Sequence, residues 1–599
     1  LLLSRALSLP LRSGKARMER AMSVASLPEP VSTLQTTPYA WLITLFACIG
    51  SLLFGYNTGI VSSAMLFLAD NPGMAPFTTM WQELIVGVIT IASAVASLLC
   101  GKPADRLGRR PVIMAASLLS IIGAFVCGAA PEKWTLLAGR IILGVAVGFA
   151  SVIVPIYISE ASPRHMRGRF VTMSEISVAI GFIVANCISV GFAYVDPVKI
   201  GWRLMVGFSA LPAAIQFIGF LFLHDTPRFL FKKGHITECE TVLAKIYGDY
   251  EWARYDMEDI KDAVEREAQA KKAFVGQRAI VRVLATPFVR RALLVGCSLQ
   301  IFQQLIGVNS ILYYTGNIIQ SAGVENKLTA IWMSSGVYLA QAGGALVTSG
   351  IIERMGRRTI LLISTTGILV SLCLMGGSFL LINVESAPVM PLNVSDPSIP
   401  HFEFCTQLSN CDSCVTSSHC GFCHLAKDDS TGFCLPANPR APHKSIVGVC
   451  DGQPRDEEYR YVRTFCRSKY TWLPIAVMII YILAFAFGIG PLAWVYNAEI
   501  YPLWARSTCV SIATFTNWIV NLVISLTFLT LNETITKYGT FFLYTFFALL
   551  AIVIFYFFVP ETLGVDYEDI GDLFKSEDEK RLDKQQLTPY EAPVKETST

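Results

Sequence analysis

Twelve mainly apolar runs, each long enough to cross a lipid bilayer, recur along the chain at 41–63, 84–100, 112–129, 135–158, 173–194, 202–223, 291–314, 328–350, 359–382, 470–495, 508–530 and 538–559. A bilayer core of about 30 Å needs about 20 residues of helix, because every backbone N–H and C=O must find its partner inside the segment. The strict alternation of a membrane β-barrel is absent from these runs. Of 599 residues, 53% are hydrophobic and only 16% charged, against about 25% charged in soluble domains. The mean hydropathy of +0.50 therefore implies more apolar surface than a water-soluble globule can bury. The formal net charge is +3 and the basic residues sit in short clusters between apolar runs, which speaks against a nucleic-acid partner.

Orientation follows from Lys and Arg in the short connections. Those joining runs 2–3, 4–5, 8–9 and 10–11 carry Lys102, Arg106, Arg109, Arg110, Arg164, Arg167, Arg169, Arg354, Arg357, Arg358 and Arg506, whereas the opposite connections hold only Lys133, Lys199, Arg203, Lys327 and Lys537. The richer side is cytosolic, so both termini lie inside. The chain then divides into a cytosolic tail (1–38), a six-helix bundle (39–223), a cytosolic loop with short helices (224–290), the first part of a second bundle (291–382), an extracellular Cys-rich insertion (383–469), the rest of that bundle (470–559) and a cytosolic tail (560–599). The basic, acid-free stretch before Met18 has the composition of a transit peptide but is read as a tail.

Two sequence patterns repeat. Gly101 to Arg110 recurs as Ser349 to Arg358, offset by 248 residues, and the Glu160 to Arg167 pattern recurs at Glu499 to Arg506, offset by 339. Two six-helix halves are thus related by a parallel repeat, and the 91-residue excess of the second offset locates 383–469 as an insertion. Asp105, Glu160, Glu353 and Glu499 stand at cytosolic helix ends near Arg109, Arg167, Arg357 and Arg506. The expectation is a cytosolic gate in which these charges pair across the two bundles, each pair contributing about 1 kcal/mol.

Polar side chains inside a membrane are costly and usually face a cavity. The seventh run carries Gln303, Gln304 and Asn309, and the eleventh carries Asn517 and Asn521 on one helical face. Trp494 follows Gly490-Pro491, which breaks the tenth helix. Paired amides beside an aromatic suit a neutral polyhydroxylated ring, whose hydroxyls need donors and acceptors and whose C–H face packs on a ring. No nucleophile–base set, metal cluster or phosphate loop appears, so an enzyme is not expected.

With Gly139-Arg140, Pro155 to Pro163, Asp225-Thr226-Pro227-Arg228, Gln303 to Asn309, Gly490 to Trp494 and Pro560 to Gly564 all in order, the chain resembles the sugar porter family of the major facilitator superfamily over 40–565. The resemblance implies an all-α membrane protein: twelve transmembrane helices in two pseudo-symmetric six-helix bundles, the major facilitator fold, with a small disulfide-rich extracellular insertion. It implies sugar contacts at Gln303, Gln304, Asn309, Trp494 and Asn517, with Gln341 where the family often has Asn. It also implies an acid on the first span to meet Arg140. That position is Asn57, which cannot titrate, whereas Glu175 stands where a neutral sugar-contacting residue is usual. Glu175, Arg140 and Asn57 are therefore the proton-coupling candidates, with Glu175 either a displaced carrier or a substrate contact. The Cys-rich insertion is similar to that of proton–myo-inositol cotransporters. The expected activity is secondary active symport of myo-inositol or a related polyol with protons by alternating access, with no cofactor besides the coupling ion. The alternatives are a facilitative hexose or polyol uniporter, which Asn57 favours, and a polyol sensor or adhesion receptor.

Of 16 cysteines, eight lie in the insertion: Cys405, Cys411, Cys414, Cys420, Cys423, Cys434, Cys450 and Cys466. Eight on an oxidising side imply about four disulfides of open connectivity, with zinc on the C-x-x-C pairs as a rival. The spacing resembles the small disulfide module of plexins, semaphorins and integrins, which implies either an extracellular protein partner or a shield over the external mouth. Asn393 and Asn532 head N-x-Ser/Thr sequons on the same side. The expectation is a monomer, glycosylated, in the plasma membrane and also in endosomal or vesicular membranes.

Overall fold

Most apolar runs form helices longer than the runs themselves, because the polar residues at their ends continue the helix into the interface. In the computed structural model, which describes residues 36–68, 71–74, 78–163, 166–272, 279–351, 355–391, 399–425, 428–438, 444–451, 459–562 and 573–575, the first five spans are Pro38–Leu68, Thr79–Leu107, Arg109–Gly128, Lys133–Ala161 and Arg167–Ala193. The sixth is Trp202–Gly207 continued by Ala210–Phe222. The second half comprises Pro287–Leu305 with Val308–Tyr313 and Thr315–Ser321, Lys327–Ile351, Arg357–Glu385, Trp472–Phe487 with Ile489–Glu499, Leu503–Ile535 and Lys537–Phe558. Eleven of these helices are both long and apolar enough to cross a membrane by themselves. The eighth, Lys327–Ile351, has 25 residues and so the length, but Ser334, Ser335, Gly336, Gln341, Gly343 and Gly344 dilute its apolar character. It packs between its neighbours as the twelfth member, burying Ile331, Val337 and Tyr338.

Two spans are interrupted where the sequence predicts polar chemistry. The seventh breaks at Gly307, whose left-handed backbone (φ +83°) a side chain would strain and whose Cβ position faces the Tyr544 ring at 2.4 Å. The tenth breaks at Gly488, ahead of Gly490-Pro491. Each interruption frees backbone carbonyls, and in a membrane those must be met by protein groups.

The loop at 224–290, expected on the cytosolic side, is more than a solvated connector. Helices Pro227–Lys233, Ile236–Tyr247, Tyr250–Lys272 and Ala279–Ala285 follow the sixth span. Cys239, Val242, Leu243, Ile246 and Tyr247 pack into one cluster with Ala40, Tyr157 and Phe220 of the first bundle. Thr37 Oγ1 donates to the Lys245 and Ile246 carbonyls at 2.9 Å, which ties the entry of the first span to this loop.

On the face that the loop charges assign to the outside, the insertion forms a three-stranded antiparallel sheet in the order β2-β1-β3, where β1 is Cys420–Leu425, β2 Asp428–Pro436 and β3 Tyr459–Val462, preceded by helices Phe402–Thr406 and Cys411–Thr416. All eight of its cysteines are joined, as Cys405–Cys420, Cys411–Cys466, Cys414–Cys434 and Cys423–Cys450. The zinc alternative has no free thiolate left to use there. Asn532 lies in the last turn of the eleventh helix, half-buried, instead of in a free loop. Asn393 and Glu353 fall outside the described residues.

The bundles meet along the second and eleventh spans and along the fifth and eighth. Their mutual hydrogen bonds among the described residues gather in the outer half. Gly316 N donates to Ser62 Oγ (3.0 Å), Lys327 Nζ to the Leu66 carbonyl (2.6 Å), Asn186 Nδ2 to the Ile331 carbonyl (2.8 Å) and Thr79 Oγ1 to Glu533 (2.7 Å). Glu83 of the second span, 5% exposed, accepts from the backbone N–H (2.9 Å) and hydroxyl of Thr530 in the eleventh. The conformation is thus sealed on the external side.

Candidate functional site

The amides singled out in the sequence form a network around the broken tenth helix. Gln303 Nε2 donates to the carbonyls of Ile489 (3.2 Å) and Gly490 (2.8 Å), at the break. Its Oε1 accepts from Asn517 Nδ2 (2.8 Å), which also donates to Gln300 Oε1 (2.6 Å), and Gln300 Nε2 in turn reaches the Ala493 carbonyl (3.3 Å). Gln300, fully buried, is the member that sequence reasoning missed. Its place three residues before Gln303, on the same helical face, was the available signal.

A second pair joins Asn309 Nδ2 to Gln304 Oε1 (2.6 Å), and a third joins Asn521 Nδ2 to the Tyr313 hydroxyl (3.1 Å). Gln341 is half-buried and its Oε1 has no protein donor. Trp494 is half-buried on the segment after the break. Glu175 is half-buried on the fifth span and makes no hydrogen bond to these amides among the described residues. The structure therefore joins Gln303 and Asn517, and Gln304 and Asn309. It leaves Gln341, Trp494 and Glu175 outside those hydrogen-bonded groups.

Arg140 is 3% exposed. Its Nε donates to the Ile85 carbonyl (3.2 Å) and Nη1 to the Asn57 carbonyl (3.4 Å). Asn57, 1% exposed, meets Arg140 only through its backbone, since both atoms of its side-chain amide lack partners.

Among the described residues at these helix ends, Arg109 and Arg357 pair with acids of their own bundle, where the expected gate had them pair across the two. Arg109 meets Glu160 (3.1 Å) and the exposed Asp105 (3.8 Å), and Arg357 meets Glu499 (3.5 Å). The halves match further. Thr226 Oγ1 donates to Glu160 (2.6 Å) and Thr562 Oγ1 to Glu499 (3.2 Å). Asp225 accepts from Arg109 N (3.1 Å), and Glu561 from the N–H groups of Arg357 (2.7 Å) and Arg358 (3.1 Å).

These acids cap the third and ninth helices, where the helix dipole favours negative charge. A Cβ on Gly108 would lie 2.0 Å from Asp225, and one on Gly356 2.2 Å from Glu561, so each repeat needs glycine for the carboxylate to approach. The repeat pairs arginine and acid within one half because each unit brings its own loop against its own fourth helix. Arg167 is exposed, and Arg506 donates to the Tyr501 carbonyl (3.0 Å). Burial pushes the Glu499 carboxyl up against the opposing pull of Arg357, and burial likewise pushes Asp225 up against the N–H groups of Thr226 and Arg109.

Because the two networks share one geometry, Glu160→Gln and Glu499→Gln are each expected to lower stability by about 1 kcal/mol. Their distance apart makes the losses additive in the double variant. Thermal melting of the purified protein checks this, and a double variant no worse than either single one contradicts two independent networks.

A family model described as sugar (and other) transporter matches residues 43–392 and 459–574, leaving out most of the insertion. A proton myo-inositol cotransporter of Caenorhabditis elegans is 42% identical over 94% of this chain and 95% of its own. The proton myo-inositol cotransporter of Homo sapiens is 38% identical over 90% of this chain and 82% of its own. The xylose transporter XylE of E. coli, solved in a partially occluded inward open conformation, superposes with a TM-score of 0.64 at 20% identity, covering 88% of this chain and 99% of that one. At that identity the likeness concerns the fold alone.

Proposed function

The chain belongs to the sugar (and other) transporter family, and from that premise we propose that it carries myo-inositol across a membrane together with protons, by alternating access of its two bundles. The observation that carries this reading is the likeness to proton myo-inositol cotransporters along 94% of the chain. The amide network fits it. Gln303, Gln304, Asn309, Gln341, Asn517 and Trp494 would hold the polyol, whose hydroxyls supply the donor that Gln341 Oε1 lacks. Opening at the broken tenth helix would exchange the protein's own Gln303–carbonyl bonds for bonds to substrate.

Facilitative hexose uniport, suggested by Asn57 alone, is not favoured, since the similar relatives are cotransporters. Glu175 would then carry the proton, as the candidate that can titrate. A monomer in the plasma membrane, with the insertion free to meet an extracellular partner, completes the proposal.

Radiolabelled myo-inositol and glucose, offered to proteoliposomes with and without an inward proton gradient, test it. Myo-inositol is expected to accumulate above equilibrium only with the gradient. Simple equilibration under both conditions overturns symport. Glu175→Gln is expected to equilibrate substrate without accumulating it, and an unchanged response to pH removes Glu175 as carrier.

A further inference from the structure

Arg140 is a cation inside the membrane region whose described partners are two neutral backbone carbonyls. The titratable groups that face it are the Cys127 thiol, from the third span, and the Tyr313 phenol, from the seventh. Neither is an anion at ordinary pH. A buried guanidinium without a counter-charge is among the most costly arrangements a membrane protein can hold. Beside it lies a small cavity, lined by Asn57 and Thr58 of the first span, Val86 and Ile89 of the second, Arg140 of the fourth and Tyr313 of the seventh. The Asn57 amide is 1% exposed and neither of its side-chain atoms has a partner.

The chemistry of that lining is specific. Arg140 offers N–H groups beyond the two it spends on carbonyls, and Asn57 Nδ2 is an unspent donor. The Tyr313 oxygen already accepts from Asn521 Nδ2, so its own proton is left to give. Valine and isoleucine close the remaining wall. Donors around a net positive charge, with an apolar rim and no carboxylate among the described residues, make a receptor for an anion. A water molecule would satisfy the Asn57 amide but would leave the charge uncompensated. There is room for a body of about water size, which suits a monatomic ion.

We propose that this cavity binds a chloride ion, which stands in for the side-chain carboxylate that residue 57 does not supply. Three walls belong to the first bundle and the fourth, Tyr313, to the second, so the ion bridges the bundles beside the external seal. It neutralises Arg140 and joins it to the seventh span when the outside is closed. The consequence for transport rests on the proposed symport, but binding of the ion does not.

The test has two arms. In the first, the purified wild-type protein is melted at constant ionic strength and pH in sodium chloride, sodium bromide or sodium gluconate. A saturable rise of the melting temperature with chloride, shared by bromide, is expected, together with loss of that rise in Asn57→Asp, whose carboxylate competes for the same place. In the second arm, myo-inositol uptake into proteoliposomes is expected to fall about tenfold or more when gluconate replaces chloride on both sides. It should recover when chloride is returned, and it should be indifferent to chloride in Asn57→Asp. Equal melting in all three salts means that the cavity holds water only and overturns the proposal. If uptake is absent in every salt, the transport reading fails while the melting arm still decides the ion.

Discussion

Gln303→Leu is expected to reduce myo-inositol uptake about 100-fold while leaving the protein folded and in the membrane. Leucine keeps the volume but loses every polar bond: both donations into the broken tenth helix, at Ile489 and Gly490, and the acceptance from Asn517. Leaving a buried polar group unpaired costs about 1–3 kcal/mol, and about 3 kcal/mol over the site corresponds to roughly two orders of magnitude in affinity. Twelve packed spans supply stability elsewhere, so the loss should appear in function first. Scintillation-proximity binding of labelled myo-inositol, run beside uptake, separates the two roles of the amide. If binding and uptake fall together, Gln303 holds substrate. If binding survives and uptake alone is lost, Gln303 serves the movement of the tenth helix. A variant that binds and transports normally contradicts both.

The fold was legible because a bilayer makes apolar length the dominant signal. Eleven helices are recognisable by that rule alone, and the eighth was also read correctly since its serines and glycines never interrupt helical spacing. The disulfide module was legible as a count of eight cysteines but not as a pairing, which depends on how β1 lies between β2 and β3. The gate charges were found by repetition, yet their direction of pairing was not. Sequence offset identifies equivalent residues, whereas the pairing follows from the packing of each loop, held by the Asp225 or Glu561 cap on the third or ninth helix, against the fourth helix of its own bundle. Those two acids stood in plain view as Asp225-Thr226 and Glu561-Thr562, and comparing the halves would have matched them. Glu83 and Gln300 were missed for another reason. Glu83 is one polar residue in a long apolar run, which carries no pattern until its partner across the interface, Thr530, gives it meaning, whereas Gln300 stands on the Gln303 face and gains its role from Asn517 of the same bundle.

The second large effect is expected at Lys537→Met, which should release the extracellular module from the bundle without unfolding it. Lys537 Nζ meets Asp412 at 2.8 Å with the two side chains only 7% and 4% exposed, and Asn383 Nδ2 donates to the other carboxylate oxygen of Asp412 at 3.1 Å. Removing one partner of a buried ion pair costs about 3–5 kcal/mol, because the remaining charge stays desolvated. The module has its own cysteine-rich core and four disulfides, so that cost is met by undocking the helix Cys411–Thr416. Undocking also reaches the transport path. Glu533, at the end of the eleventh helix, accepts from Ser418 of the module (3.4 Å) and from Thr79 of the first bundle. Glu325, between the seventh and eighth spans, holds Arg460 and Arg467 of the module (3.8 Å to Arg467). A released module therefore loosens the external seal, and the variant should label faster than wild type at a cysteine introduced in place of Ser62, whose hydroxyl faces Gly316 across the bundles. Adding Asp412→Asn removes the stranded charge and should restore much of the slow labelling. If Lys537→Met labels at the wild-type rate, the module is an ornament on the second bundle and takes no part in closing the transporter.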